Sequence, residues 1–241
     1  MFRNKVGKDS RVIPRHIGVI MDGNRRWAKK RGFAKTFGYT RGAEVFQQIV
    51  RYCQKIGVEA VTFYAFSTEN WSRPKDEVDA LMNLLREYLN NAFGFKDENI
   101  KIIFIGNREE LNKDISDLMN EIEDVSKDNT GLILNIAINY GGRQEILNAA
   151  KTMSKEITSG RVTYDEVNEE YFSSLMYTKD SPEVDMILRP SGEKRISNFL
   201  LWQIAYSEFV YMKVLWPDFK PRDLDKAIDE YNRRSRRYGG A

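Results

Sequence analysis

The stretch HIGVIMDGNRRWAKKRG, residues 16–32, places a single carboxylate between an apolar run and a cluster of cations. The apolar or small residues 17–21 have the length and composition of a buried β-strand. Asp22-Gly23-Asn24 follows at once, and five Lys or Arg residues then fall within positions 25–31. In an open α/β sheet, ligands bind just beyond the carboxyl ends of the strands. The stretch therefore predicts the first strand of such a sheet, with a charged ligand site where that strand ends.

Short apolar runs alternate with helical patterns along the rest of the chain. The predicted strands are 17–21, 60–66, 100–106, 132–139, 184–189 and 209–214, and the predicted helices are 38–57, 75–93, 108–127, 143–157, 198–207 and 221–236. This alternation favours βαβ units, parallel strands and right-handed crossovers. Since no repeat or linker is visible, we predict a frayed polar segment over 1–15. A single α/β domain follows over 16–241, with about six mostly parallel central strands flanked by helices.

Composition limits the classes of partner and the compartment. Lys plus Arg is 38 and Asp plus Glu is 35, and the net charge of +3 argues against nucleic-acid binding. Cys53 is the only cysteine and His16 the only histidine, which excludes zinc sites of the usual Cys/His type. One cysteine and no signal peptide predict a cytoplasmic protein. No apolar run has the length of a membrane span, but peripheral contact with the inner membrane face stays open.

Polar clusters follow four of the predicted strands. They are Asp22-Gly23-Asn24, STENWSRP at 67–74, NYGGR at 139–143, and RPSGE at 189–193 with Arg195 and Ser197 after it. The carboxyl ends of parallel strands meet at one edge of a sheet, so we expect these clusters to form one site.

The ligand predicted for this site is a diphosphate held with Mg²⁺. Arg26, Arg189 and Arg195 carry fork-shaped donors suited to phosphate oxygens, and Gly23 and Gly192 allow backbone N–H groups to come close. Neither a P-loop nor a dinucleotide-binding glycine motif is present. A carboxylate beside a phosphate needs a cation between them, and Mg²⁺ is commonly held by one or two carboxylates plus phosphate oxygens. We therefore predict that the carboxylate of the first strand end binds the metal.

Each of these features has a plainer alternative when taken singly. Asp22-Gly23-Asn24 is also a common turn with an asparagine helix cap, and the basic run is also typical of a solvated helix face. Trp71 and His16 are more often structural than functional at such positions, and Arg189 has Glu193 as a possible ion-pair partner. The wide apolar face of predicted helix 75–93 suits either a pocket for an amphiphilic substrate or an ordinary core, and periodicity alone favours the core.

Four blocks carry a resemblance that covers nearly the whole chain. They are HIGVIMDGNRRWA at 16–28, FYAFSTENWSRP at 63–74, NIAINYGGRQEI at 135–146, and ILRPSGEKRISNFLLWQIAYSEF at 187–209, with VLWPDF at 214–219 after the last. In order and spacing they closely resemble the cis-prenyltransferases, the undecaprenyl diphosphate synthase (isoprenyl transferase) family.

The resemblance implies condensation of isopentenyl diphosphate with an allylic diphosphate such as farnesyl diphosphate. It implies Mg²⁺ as cofactor, a homodimer, an apolar product tunnel, and undecaprenyl diphosphate as the expected product. A short- or medium-chain synthase and a non-catalytic partner subunit of the same fold are the alternatives within the family. A general phosphate-binding module is the alternative outside it.

The resemblance also implies residue roles by position. Asp22 and Asn70 match catalytic positions, and Asp22 and Glu208 match metal ligands. The implied substrate contacts are Gly23, Asn24, Arg25, Arg26, Trp27, Lys35, Tyr39, Ser67, Thr68, Glu69, Trp71, Arg73, Arg189, Arg195 and Ser197.

Four positions depart from the commonest family pattern, and two others bear on product length. The departures are Arg25, Lys35, Tyr39 and Pro190, which affect the expected allylic substrate more than the reaction type. Ala65 and Leu132 match tunnel positions of long-chain members.

Overall fold

A computed structural model describes residues 11–92, 95 and 98–234, apart from the side chains of 90–92. Most of the predicted frayed segment, residues 1–10, and the end of the last predicted helix, residues 235–236, lie outside the described residues. The segment RRYGG at 236–240, where the resemblance to the cis-prenyltransferases ends, also lies outside them.

The described chain folds around one six-stranded sheet. The strands are β1 (His16–Ile20), β2 (Ala60–Ser67), β3 (Lys101–Ile105), β4 (Ile133–Tyr140), β5 (Met186–Arg189) and β6 (Glu208–Tyr211). Their order is β3-β4-β2-β1-β5-β6, and every neighbouring pair is parallel. The predicted mostly parallel sheet is confirmed, and β1 lies at its centre between β2 and β5.

Helices cover both faces of the sheet, as an all-parallel sheet requires. They are α1 (Asn24–Lys30), α2 (Lys35–Lys55), α3 (Lys75–Ala92), α4 (Lys113–Ser126), α5 (Gly142–Thr158), α6 (Glu169–Ser174) and α7 (Pro221–Arg233), with short 3₁₀ turns at Thr68–Ser72, Tyr164–Glu166 and Trp216–Asp218. Ile17, Val19 and Phe63 belong to the core on one face. Ile20 and Tyr64 belong to a second apolar cluster, together with Phe199 and Leu200 from the 198–207 segment.

The first two helices differ from the prediction, which placed one helix from Gly38 onward. Gly23 has φ +111°, which lets the chain turn directly from β1 into α1. Helix α2 then begins at Lys35 and contains both Gly38 and Gly42. A Cβ at Gly42 would lie 2.5 Å from Asn24 Oδ1, and one at Gly38 would clash with the Asn24 carbonyl. These glycines allow α2 to pack closely on α1. The prediction took Gly38 as a helix start because the sequence alone does not show this contact.

The predicted helix 198–207 is wrong, because this segment forms a series of turns. Ser197, Asn198 and Leu200 have φ values of +51°, +63° and +48°, which an α-helix does not accommodate. Its apolar residues are nevertheless buried, with Phe199 and Leu200 fully inaccessible. The apolar run therefore indicated burial correctly and helical structure incorrectly.

His16 has the structural role that its plainer reading predicted. The imidazole is fully buried in β1, with Nδ1 2.7 Å from the Pro182 carbonyl and Nε2 2.7 Å from Thr62 Oγ1. Because the carbonyl only accepts, Nδ1 carries the proton, and the Thr62 hydroxyl donates to Nε2. Thr62 Oγ1 accepts in turn from Asn135 Nδ2 at 3.1 Å, so the network ties β1, β2 and β4 together.

This network predicts a loss of stability in mild acid. Burial lowers the pKa of His16 from 6.5 to about 4, so between these values the unfolded chain binds a proton that the folded chain does not. The free energy of unfolding should therefore fall as pH drops from about 6.5 to about 4, by roughly 1.4 kcal/mol per pH unit. Urea unfolding at several pH values measures it, with His16→Gln as the non-titrating control. Identical pH profiles for the two proteins would contradict the prediction.

Candidate active site

An ion pair between Asp22 and Arg189 joins the carboxyl ends of β1 and β5. Arg189 Nη2 donates to Asp22 Oδ2 at 2.8 Å, and Arg26 Nη2 lies 3.4 Å from Asp22 Oδ1. The side chain of Arg189 is only 4% exposed. Burial raises the pKa of Asp22, but the hydrogen bond and charge of Arg189 outweigh it and hold the pKa below its ordinary value. Asp22 is therefore a carboxylate at neutral pH, with cations on two sides.

Arg189 also organises the loop that follows β5. Its Nη1 donates to Ser197 Oγ at 2.9 Å and to the carbonyl of Arg195. Glu193 pairs with Arg26 at 3.2 Å and with Arg195 at 2.5 Å, so Arg189 is not its partner in the described structure. The alternative of a simple Arg189–Glu193 ion pair is therefore wrong.

One predicted backbone donor is already occupied. Ser191 and Gly192 both have positive φ, and the Gly192 N–H donates to the Met212 carbonyl at 2.7 Å. Met212, the residue after β6, therefore takes this donor, and the approach of backbone N–H groups to a ligand at Gly23 and Gly192 stays a prediction. Two buried polar atoms that line the site, Asn24 Oδ1 and Arg189 Nε, have no hydrogen-bond partner among the described residues. Buried polar atoms are normally satisfied, so these two are available for a bound ligand.

Glu77 gathers four of the predicted substrate contacts and was not itself predicted. Its carboxylate lies 3.3 Å from Arg25, 3.1 Å from Arg73 and 3.4 Å from Lys35, and it accepts from the Tyr39 hydroxyl at 3.3 Å. The side chain of Glu77 is 5% exposed. The only sequence signal was the spacing of four between Arg73 and Glu77 at the start of a helix. Tyr39 thus joins an ionic cluster through its hydroxyl and brings no charge of its own.

Two adjoining hollows meet at Asp22. A polar pocket of about 650 Å³ contains Asp22, Asn24 and the cations at 25, 26, 29, 35 and 73. A mainly apolar cavity of about 670 Å³ extends from Asp22 between the sheet and α3, past Ala65 on β2. It reaches Ile136 on β4 but not Leu132, which is buried before that strand. The arrangement suits a molecule with a charged head and a long apolar body.

The end of β2 and the loop after it contribute part of the wall of the apolar cavity. Ser67, Glu69 and Asn70 line the apolar cavity together with Arg195 and Ser197. Asn70 Oδ1 accepts from the Ser67 N–H at 3.2 Å, and Glu69 Oε1 accepts from Asn198 at 2.9 Å. These predicted site residues are therefore brought together.

Three other predicted contacts lie outside both hollows. Trp27 is buried, and its indole N–H donates to Asp218 Oδ1 at 2.8 Å. Trp71 packs edge-on against Phe66 and donates to Asn139 Oδ1 at 2.8 Å, as its packing alternative predicted. Thr68 lies beside Gly141. Their predicted substrate contacts remain predictions, because the described structure directs these side chains into packing.

The two predicted metal ligands do not meet within one chain. Glu208 pairs in register with Met186, which pairs with Ile17, five residues before Asp22. At about 3.3 Å per residue, the two residues are roughly 16 Å apart along the strand direction. Glu208 instead pairs with Arg234 at 3.0 Å. No cluster of three or more His, Cys, Asp or Glu side chains suited to a metal occurs among the residues that the structure covers.

Comparisons with known proteins match this chain along nearly its full length. A family model described as "Putative undecaprenyl diphosphate synthase" matches residues 20–239. An isoprenyl transferase of Clostridium perfringens is 45% identical over 247 residues, covering 99% of this chain and 98% of that protein. The ditrans,polycis-undecaprenyl-diphosphate synthase of Pasteurella multocida, which is (2E,6E)-farnesyl-diphosphate specific, is 42% identical over 234 residues, covering 97% and 98%.

A solved structure has the same fold. The crystal structure of lavandulyl diphosphate synthase from Lavandula x intermedia, in complex with dimethylallyl diphosphate, is similar with a TM-score of 0.89 and 32% identity. The similarity covers 94% of this chain and 98% of that one.

The Glu77 cluster generates a prediction about anion binding. Glu77→Gln removes the negative charge that offsets three cations, so the free energy of unfolding should fall by about 1–2 kcal/mol. Added inorganic diphosphate supplies the missing charge, so it should raise the Tm of this variant more than that of the wild type. Differential scanning fluorimetry with and without diphosphate measures both effects.

Glu87→Gln, an exposed change on the same helix, is the matched control. If diphosphate shifts the Tm of Glu77→Gln no more than that of Glu87→Gln, the cluster does not form part of the anion site.

Proposed function

The chain belongs to the isoprenyl transferase family that includes the undecaprenyl diphosphate synthases, and from this premise we propose that it extends farnesyl diphosphate with isopentenyl diphosphate to undecaprenyl diphosphate. The proposal adds the primer, the cis geometry of each new double bond and the product length to the transferase activity of the family. The undecaprenyl diphosphate synthase among its relatives, which is farnesyl-diphosphate specific, supports the choice of primer.

The observation that carries the proposal is the position of the Asp22–Arg189 pair. It lies where the polar pocket opens into the apolar cavity, and Asp22 lines both. A prenyl diphosphate has its charge at one end and hydrocarbon along the rest, so it fits this arrangement with its reacting carbon beside the pair. The polar pocket takes the allylic diphosphate, and Arg189, Arg195 and Ser197 take isopentenyl diphosphate.

The reaction requires charge stabilisation more than acid–base chemistry. The C–O bond of the allylic diphosphate breaks, the double bond of isopentenyl diphosphate attacks the resulting carbon centre, and the adduct then loses a proton to an oxygen of the released diphosphate. Arg26 and the cations around Glu77 stabilise the charge that develops on the departing diphosphate. Ser67 and Asn70 line the cavity wall, which supports the proposal that they lie near the two reacting carbons. The apolar cavity excludes water from the carbon centre.

Mg²⁺ fits the residues present. Asp22 offers a partly exposed carboxylate that remains charged at neutral pH, and a diphosphate supplies the other oxygen ligands that Mg²⁺ prefers. When bound there, the ion neutralises the leaving diphosphate as a Lewis acid. Because Glu208 lies at the other end of its strand, a metal role for it requires a second copy of the chain. This requirement agrees with the homodimer that we propose.

We also propose where the protein acts in the cell. No helix in the described part of the chain is long and apolar enough to cross a bilayer. We propose a cytoplasmic enzyme that touches the inner membrane face when it releases its lipid product.

A short- or medium-chain synthase is the second candidate. It is favoured by the strong structural similarity to lavandulyl diphosphate synthase and by the unusual Tyr39 in the ionic cluster. A non-catalytic partner subunit and a simple phosphate-binding module are disfavoured, because Asp22, Arg189, Arg195 and Ser197 are present together. Chromatography of products made from labelled isopentenyl diphosphate, with farnesyl and geranyl diphosphates as primers, separates the two synthases from each other and from both non-catalytic candidates. Products of only a few units would replace the proposed product, and no turnover would contradict the enzyme assignment.

Asp22→Ala should reduce turnover roughly 10²- to 10³-fold, because it removes the group that acts on the leaving diphosphate. The KM for isopentenyl diphosphate should change only a few-fold. Steady-state kinetics measures turnover and KM separately, and Asp22→Asn controls for the loss of side-chain volume. The Tm of each variant tests whether the unpaired Arg189 unfolds the protein. Undiminished turnover in a folded Asp22→Ala protein would rule out this role for Asp22.

Ala65→Leu should shorten the product, because Ala65 faces the apolar cavity and the larger side chain obstructs it. Ala65→Ser changes volume little and is the control. The chain-length distribution from thin-layer chromatography gives the answer, and an unchanged distribution for Ala65→Leu would show that the chain grows elsewhere.

A further inference from the structure

The segment between β1 and the middle of α2 has an unusual charge distribution. From Gly23 to Ala43 the chain contains seven Lys or Arg residues and no Asp or Glu, whereas the whole protein has a net charge of only +3. Part of this charge serves the polar pocket, but the pocket does not use all of it.

Residues 29–37 form a continuously exposed rim at the end of α1 and the start of α2, which we call the basic aromatic rim. Phe33 is 47% exposed and Phe37 is 49% exposed, with ring centroids 4.7 Å apart. Both rings lie about 6 Å from the buried ring of Trp27, at 5.9 and 6.0 Å. The two phenylalanine rings pack on Trp27 and remain half exposed. Together they form an exposed apolar patch of the kind that marks an interaction site.

The cations of the rim flank these two rings. Lys29 and Lys30 are exposed and have no ion-pair partner within the described ranges. Arg31 pairs with Asp218 and covers the Trp27 ring at 4.4 Å, and Lys35 pairs with Glu77. Free positive charge beside outward aromatic rings is the composition of surfaces that lie in the interface of an anionic bilayer.

The rim also borders the entrance to the site. Lys29 and Phe33 line the polar pocket that contains Asp22. A surface that docks through this rim therefore sits next to the opening where prenyl diphosphates would enter.

We propose that the basic aromatic rim docks on an anionic lipid bilayer, with Phe33 and Phe37 in the headgroup region and Lys29 and Lys30 at lipid phosphates. A second copy of the chain is a poor occupant, because a symmetric contact would bring two cationic rims together. The inference rests on the proposed function in one respect, namely that a long prenyl product needs a bilayer to receive it.

Vesicle co-sedimentation of the full chain tests the proposal. The wild type should bind vesicles that contain phosphatidylglycerol, bind phosphatidylcholine vesicles weakly, and lose affinity as salt is raised. Lys29→Gln/Lys30→Gln should bind roughly 25-fold more weakly, at about fivefold for each lysine. Phe33→Ser/Phe37→Ser should also bind more weakly, although the charge is unchanged.

Matched controls come from other exposed positions. Lys151→Gln/Lys155→Gln on α5 removes two exposed lysines, and Tyr164→Ser removes an aromatic ring that is 82% exposed. Both should bind as the wild type does, and circular dichroism confirms that each variant is folded. Wild-type-like binding by the rim variants, equal binding to neutral vesicles, or self-association through the rim would overturn the proposal.

The proposal and the proposed function fail separately. A protein that makes prenyl product in detergent but binds no vesicles overturns the docking surface alone. A protein that binds anionic vesicles through the rim but makes no product overturns the function alone.

Discussion

The ion pair between Asp22 and Arg189 sets the geometry on which the rest of the site depends. It forms because parallel pairing brings the ends of β1 and β5 to the same edge, and because Arg189 is buried too deeply to be left without a counter-charge. Holding Arg189 in this way fixes the Ser197 hydroxyl and the Arg195 carbonyl through its other nitrogen. One guanidinium therefore orders a loop whose own backbone is irregular.

Charge around the site is divided into two groups with different counter-ions. Arg26 and Arg195 share Glu193, whereas Arg25, Lys35 and Arg73 share Glu77. Each shared carboxylate reduces the repulsion between its cations and holds them in place, while both groups keep a net positive charge for an anionic ligand. An arriving diphosphate must compete with these carboxylates, which favours ligands that carry more charge than a single phosphate. Preorganised donors of this kind act on developing charge without having to rearrange.

Much of the fold could be predicted from the sequence, because buried parallel strands leave short apolar runs that few other structures produce. The six strands were placed to within a few residues, and the polar strand ends did meet at one edge. The errors have local causes. Close contact of α2 with Asn24 requires glycines that resemble a helix boundary, and left-handed residues at 197, 198 and 200 break a run that looked helical.

The site was predicted less completely, since residue type and spacing do not reveal side-chain partners. Glu77 was missed because an acidic residue in the first turn of a helix is common, and only the fold brings three cations to it. Trp27 was named from the resemblance alone, and only the structure shows that its indole N–H donates to Asp218. The separation of Glu208 from Asp22 depends on strand register, which a single sequence does not specify.

The glycine contacts between α1 and α2 also determine which side of the site can yield. At Gly38 and Gly42 the helices touch with no room for even a methyl group, and the Gly42 carbonyl accepts from the buried Trp216 indole at 2.7 Å. The wall formed by α2, which carries Lys35 and Tyr39, is therefore held rigidly. Helix α3 meets that wall through polar contacts at Glu77 and at the Tyr88 hydroxyl, which water and ligand can replace. When a lengthening hydrocarbon widens the apolar cavity, α3 is therefore the helix that moves, and α2 stays in place.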